Sequence, residues 1–186
     1  MSFNVLVIPE DPTLNGYILK PLVEAVAADA DKPNAHVTIL ANPHLNGYDT
    51  ARAAISEGRL DGKYRHFNLW LFMPDADRAK KDSMDDLERQ LDSRKIRLIC
   101  CPAIPEVEIY ACVAYRDEID WQQARASRSM KEDFFEKLLA QHGAPKRPGG
   151  GRDLMIASSL KNRQKLYTSC PELKGLRDRI KKGKSS

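Results

Sequence analysis

The sequence predicts an α/β fold: a parallel sheet of about four strands, helices on both faces, and a helical C-terminal extension. Three observations predict it. Four short apolar runs recur across residues 1–104, segments with helical apolar spacing separate them, and after Ile104 only the helical spacing remains. Strands alternating with helices give a parallel sheet joined by right-handed crossovers. Strands buried on both faces read as unbroken apolar runs rather than as alternation.

The elements follow in order. FNVLVIP at the start is short, β-branched and apolar, which predicts a buried strand. Residues 14–30 carry helical spacing, with Pro21 expected to start or kink the helix. Residues 36–42 form the second predicted strand and 48–60 the second helix, with Asp49 or Thr50 as its cap. The third strand is HFNLWLFM at 66–73, and the third helix, 83–95, begins at Ser83 as cap, its early acids suited to the positive N-terminal end. The fourth strand is IRLICCPAI at 96–104. Beyond it, residues 105–119 predict a helix with Pro105 in its first turn, and 129–143 an amphipathic helix stopped by Gly143. APKRPGGGR reads as a flexible loop, with a hinge or a phosphate-contacting loop as the sharper alternative. Residues 153–182 supply one or two more helices, broken at Pro171. The expected organisation is one domain over 1–180, made of a βα core (1–104) and the extension (105–180), followed by a basic tail at 181–186.

Composition narrows the function classes. A chain of 186 residues, 42% hydrophobic and 30% charged, is that of a water-soluble globular protein. No apolar run is long enough to span a bilayer. The first residues lack a charged segment, a long apolar core and a small-residue cleavage site, so the cytoplasm is the expected location and no membrane partner is expected. The four cysteines show no CxxC spacing, and buried free thiols are the expectation. The four histidines show no ligand spacing either; His44, after the second strand, is read as a surface residue. The aromatics of FNLWLF and EDFFEKLL stand at core spacing, whereas Trp121 is free to dock a partner.

Chemistry concentrates at the strand ends. In an open parallel sheet, ligands bind at the carboxyl ends of the strands. The first strand exits into Glu10 and Asp11, the third into Asp75 and Asp77, and the fourth into Glu106 and Glu108. Singly, each is an ordinary turn or helix-start acid. Jointly, converging carboxylates repel unless they share a proton or a cation. Hard oxygen ligands suit Mg²⁺ or Mn²⁺, and such ions work on phosphate oxygens.

A Glu after the first strand followed by an Asp-x-Asp after a later strand, in a small βαβα unit, resembles the TOPRIM domain of topoisomerases, primases and OLD-type nucleases. The resemblance implies that Glu10 is the family's general acid or base and that Asp75 and Asp77 are the metal-binding aspartates. IPEVEIYACVA further resembles small stand-alone TOPRIM-like proteins, which implies Glu108 as another metal-site acid; SLKNRQKLYTSCPELKGL resembles their C-terminal ends. Such proteins often work beside a separate ATPase, commonly in defence against phage, so an ATPase partner is implied too. The chain departs from the family in one respect, since Asp11 and Pro12 follow the glutamate where the family has glycine. The expected activity is metal-dependent phosphodiester cleavage of DNA or RNA, with a non-catalytic subunit docking on an ATPase or nucleic acid as the rival. A receiver-type domain fits less well, because no fifth strand ending in lysine follows. A P-loop motif is absent.

The net charge of +4 is modest, but bases crowd the C-terminal third. They read either as a solvated face or as contacts to phosphate. On the second reading Arg147, Arg152, Lys161 and Arg163 bind nucleic acid, joined by Arg78 and Lys80 beside the aspartates.

Overall fold

The computed structural model describes residues 2–77 and 79–183. β1 (Phe3–Pro9), β2 (Ala35–Ile39), β3 (Leu69–Met73) and β4 (Leu98–Cys100) pair in parallel in the order β2-β1-β3-β4. Val5 stands opposite Val37 on one side and Leu69 on the other, and Trp70 stands opposite Leu98. The chain lays β2 on one side of β1, then crosses to the other side for β3 and β4. The strand order therefore reverses between β1 and β3, which is where an open α/β sheet leaves a crevice at its carboxyl end.

The two faces of the sheet are covered differently. Val5, Val7, Leu69, Leu71 and Met73 pack into one apolar cluster with α1 (Gly16–Asp29) and the helices of the C-terminal extension. Leu6, Ile8, Trp70 and Phe72 pack into a second cluster with α2 (Tyr48–Ser56), the short α3 (Asp61–Tyr64) and α4 (Lys81–Ser93). Every residue of β3 is buried, which is why its sequence does not alternate. The extension runs through α5 (Ile109–Cys112), α6 (Trp121–Ala126), α7 (Glu136–His142), α8 (Arg152–Leu160), α9 (Arg163–Ser169) and α10 (Pro171–Lys182). It shares a core with the sheet rather than forming one of its own. Trp121, expected to be free for a partner, packs partly buried against that core. All four cysteines are buried free thiols, and burial pushes Cys101 and Cys112 up to about 12, so neither is a ready nucleophile.

Several local expectations are corrected. α1 does not start at Pro21, which lies inside it; the missing N–H leaves the carbonyl of Tyr17, in the first turn, without its helical donor. Neither Asp49 nor Thr50 caps α2: the cap position is Gly47 at φ +81°, with Asp49 in the first turn. Ser83 does not cap α4 either; it lies inside the helix, where its hydroxyl accepts from Arg52 Nε at 2.9 Å and ties α4 to α2. Pro105 precedes its helix, because the chain turns through 105–108 first. The segment PGGG is not a loose loop. It forms a tight turn of left-handed backbone, with Gly149, Gly150 and Gly151 at φ +70°, +66° and +90°, packed so closely that a Cβ on Gly149 would lie 2.6 Å from the Tyr17 ring. The break at Pro171 occurs where expected, between α9 and α10.

β4 is an edge strand, and side chains occupy the outer hydrogen-bonding groups of Cys100. Glu88 Oε1 accepts the Cys100 N–H at 2.7 Å, Arg179 Nη1 donates to the Cys100 carbonyl at 3.3 Å, and the two side chains pair at 2.5 Å. A short edge closed by charge is protected against pairing with another strand. No helix among the described residues is long and apolar enough to cross a membrane.

Candidate functional site

Three strand exits build the site. β1 hands the chain to Glu10, and Asp11 Oδ1 then accepts the Thr13 N–H at 2.7 Å, turning the chain towards α1 around Pro12. β3 hands it to Asp75. The pairing of β3 with β4 persists past both strands: Ala103 N–H donates to the Pro74 carbonyl at 2.8 Å, and Ala76 N–H to the Pro105 carbonyl at 2.9 Å. Asp75 is thereby fixed between the exits of β1 and β4, at the reversal of strand order. Its own N–H donates to Glu10 Oε2 at 3.4 Å, and its Oδ1 accepts the Val107 N–H at 3.0 Å. That last bond holds the 105–108 turn against the sheet, which delays the start of α5.

A cleft of about 620 Å³ opens over these residues, with Glu10, Asp75, Asp77, Glu106 and Arg128 in its walls. Glu108 lies just beneath, 4% exposed. Burial is the main reason that the Asp75 carboxyl is pushed up to about 8; the charges of Glu108, Glu10 and Glu106 add to it, and the Val107 N–H opposes it. Burial also raises Glu108, with its own backbone N–H and the charges of Lys131 and Arg152 opposing. Glu106 is raised by burial in the same way, held back by the Lys131 N–H that donates to its Oε2 at 3.0 Å. The site thus gathers carboxyl groups whose mutual repulsion is compensated only in part, and a proton held on Asp75 relieves some of it.

Such a donor set fits a hard divalent cation. Mg²⁺ commonly takes one or two carboxylates and completes its shell with waters and substrate phosphates, and Glu10 with Asp75 offers that pair. A fuller cage is not assembled: among the described residues no group of three or more His, Cys, Asp and Glu side chains is placed to hold a metal ion. Asp77 lines the same cleft but is exposed, and Glu108 is buried below it.

The predicted basic residues scatter. Arg78 lies outside the described residues. Lys80 is exposed, in extended conformation at the start of α4, and lines an adjoining groove. Arg147 pairs with Asp153 at 2.6 Å, and Arg163 with Asp29 at 3.3 Å. Arg152 is 7% exposed; its guanidinium lies over the Phe135 ring and donates to the Gly149 carbonyl at 3.0 Å. Lys161 is exposed. His44 is exposed as well. Arg128, by contrast, was not singled out in the sequence, although it lines the acidic cleft. It sits in the polar break ASRSMK after α6, and no periodicity or spacing points from there to the strand ends. Glu106 was visible as an acid after the fourth strand.

No family model, curated protein or solved structure matches the chain.

Proposed function

We propose that the chain is a divalent-metal-dependent phosphodiesterase with a TOPRIM-like core, a cytoplasmic nuclease acting on DNA or RNA as the effector of a phage-defence system beside a separate ATPase. One observation carries the reading. A desolvated aspartate, Asp75, stands against Glu10 at the point of a parallel sheet where such folds bind ligands.

Mg²⁺ or Mn²⁺ held there would neutralise charge on the scissile phosphate and its leaving oxygen. Asp75, oriented by the Val107 N–H, would be the principal ligand, and Glu10 would be the second ligand or the base for the attacking water. Asp77 lines the same cleft from the next turn of chain and would serve as an outer ligand. Glu108 adds negative charge below and strengthens the demand for a cation.

A second reading keeps the fold without the chemistry: a non-catalytic subunit that docks on an ATPase or a nucleic acid. The absence of a three-donor group among the described residues favours it. Incubation of the chain with plasmid, linear and single-stranded DNA and with RNA, in Mg²⁺, Mn²⁺ or EDTA, separates the two. The nuclease reading expects cleavage that EDTA stops and that Asp75→Asn abolishes. No cleavage on any substrate leaves the binding subunit, and cleavage unaffected by that substitution removes Asp75 from the chemistry.

A further inference from the structure

We infer that the substrate of the proposed phosphodiesterase is a single-stranded nucleic acid whose backbone runs from a groove beside Arg52 and Lys80, past Asp77, to the acidic cleft under Arg128. The inference rests on the phosphodiesterase reading and adds the substrate class and its path. Two depressions open at the carboxyl end of the sheet. One is the acidic cleft with Arg128 in its wall. The other, about 530 Å³, is lined by Tyr48, Asp49, Arg52, Lys80 and Ser83, its two bases facing one acid besides Asp77. Asp77 lines both, so they adjoin.

Bases therefore stand on either side of the acids. Among the described residues neither Arg128 nor Lys80 has an ion-pair partner, and both are exposed. Arg52 gives Nε to Ser83, and among the described residues its other guanidinium donors have no partner. The bases of the C-terminal third are placed otherwise: Arg147 and Arg163 are tied to aspartates, and Arg152 is buried over Phe135. A free phosphate or a mononucleotide would engage only one end of this track. A polyanion engages both, and only a backbone crossing Asp77 sets a phosphodiester against Glu10 and Asp75. The reacting carboxylates are recessed in a cleft of small-ligand size. A cleft of that size suits a splayed nucleotide better than a duplex.

The test is fluorescence anisotropy of a labelled oligonucleotide against salt, in EDTA so that nothing is cut, with the same sequence as duplex and with a mononucleotide as competitor. The single strand should bind best. Arg128→Glu and Lys80→Glu should each weaken it roughly tenfold and lower the log–log salt slope by roughly 0.7 for each lost phosphate contact, while Lys161→Glu changes neither. Both substituted residues are exposed, and a thermal melt checks that the fold is intact; Arg128→Lys should restore most of the affinity. Absence of binding by the native chain, preference for the duplex, or loss only with Lys161→Glu overturns the path. Binding in the expected pattern without cleavage in Mg²⁺ or Mn²⁺ keeps the path and removes the hydrolase; metal-dependent cleavage untouched by Arg128→Glu and Lys80→Glu does the reverse.

Discussion

Asp75 is where local chemistry and global stability meet. Its carboxyl is held at about 8 in the folded chain against an ordinary value of 3.8, chiefly by burial. Between those two values the folded state binds a proton that the unfolded state has released. The metal-free protein is therefore most stable below about pH 4 as far as this group is concerned, and loses that contribution as pH rises towards 8. The slope is at most about 1.4 kcal/mol per pH unit, and the raised Glu106 and Glu108 act in the same direction. Asp75→Asn keeps the acceptor for the Val107 N–H and removes the charge. Denaturant midpoints at pH 5, 7 and 8.5 in EDTA should fall steadily for the native chain and much less for the variant, which becomes the more stable of the two at the alkaline end. A variant less stable at every pH would mean that the carboxylate is a structural turn residue. Glu10 and Asp75 were legible in the sequence because each ends an apolar run, and the sheet's geometry brings run-ends together. Arg128 was not, because its place in the cleft depends on how the helical extension folds back over the sheet.

Among the elements, the glycine turn before α8 is the clearest case of close packing hidden in a sequence that looks flexible. Gly151 adopts φ +90°, and a Cβ there would lie 2.2 Å from the Ala144 N, a backbone atom that cannot step aside. Gly151→Ala should cost roughly 2–4 kcal/mol from strain and overlap together. Gly175, within α10, has nothing within 4 Å of its Cβ position, so Gly175→Ala should gain roughly 0.5–1 kcal/mol from helix propensity. Urea midpoints of the two variants check both signs; a neutral Gly151→Ala would show that the turn repacks freely. Composition alone reads three glycines as mobility, because it does not register what the backbone touches. The caps were misread for a related reason. Ser83 and Asp49 have the right chemistry for a helix start, but the tie to Arg52 and the left-handed turn at Gly47 set the boundaries instead.

At the scale of the whole molecule, the alternation of strands and helices carried the fold, and the unbroken apolar runs carried the two-faced burial of the sheet. What remained hidden was the order β2-β1-β3-β4, because runs of similar length and composition do not specify their neighbours. That order makes the site, since it sets the end of β1 beside the end of β3. The central claim is that the two carboxylates gathered there exist to share a divalent cation. Thermal melts of the native chain and of Asp75→Asn, across a Mn²⁺ titration at pH 7.5, test it most directly. If Mn²⁺ binds the folded state alone, the native melting temperature rises with its concentration, while that of Asp75→Asn stays flat from a higher metal-free starting point. A native chain that shows no shift at millimolar Mn²⁺, or a variant that shifts as far as the native chain, would contradict it.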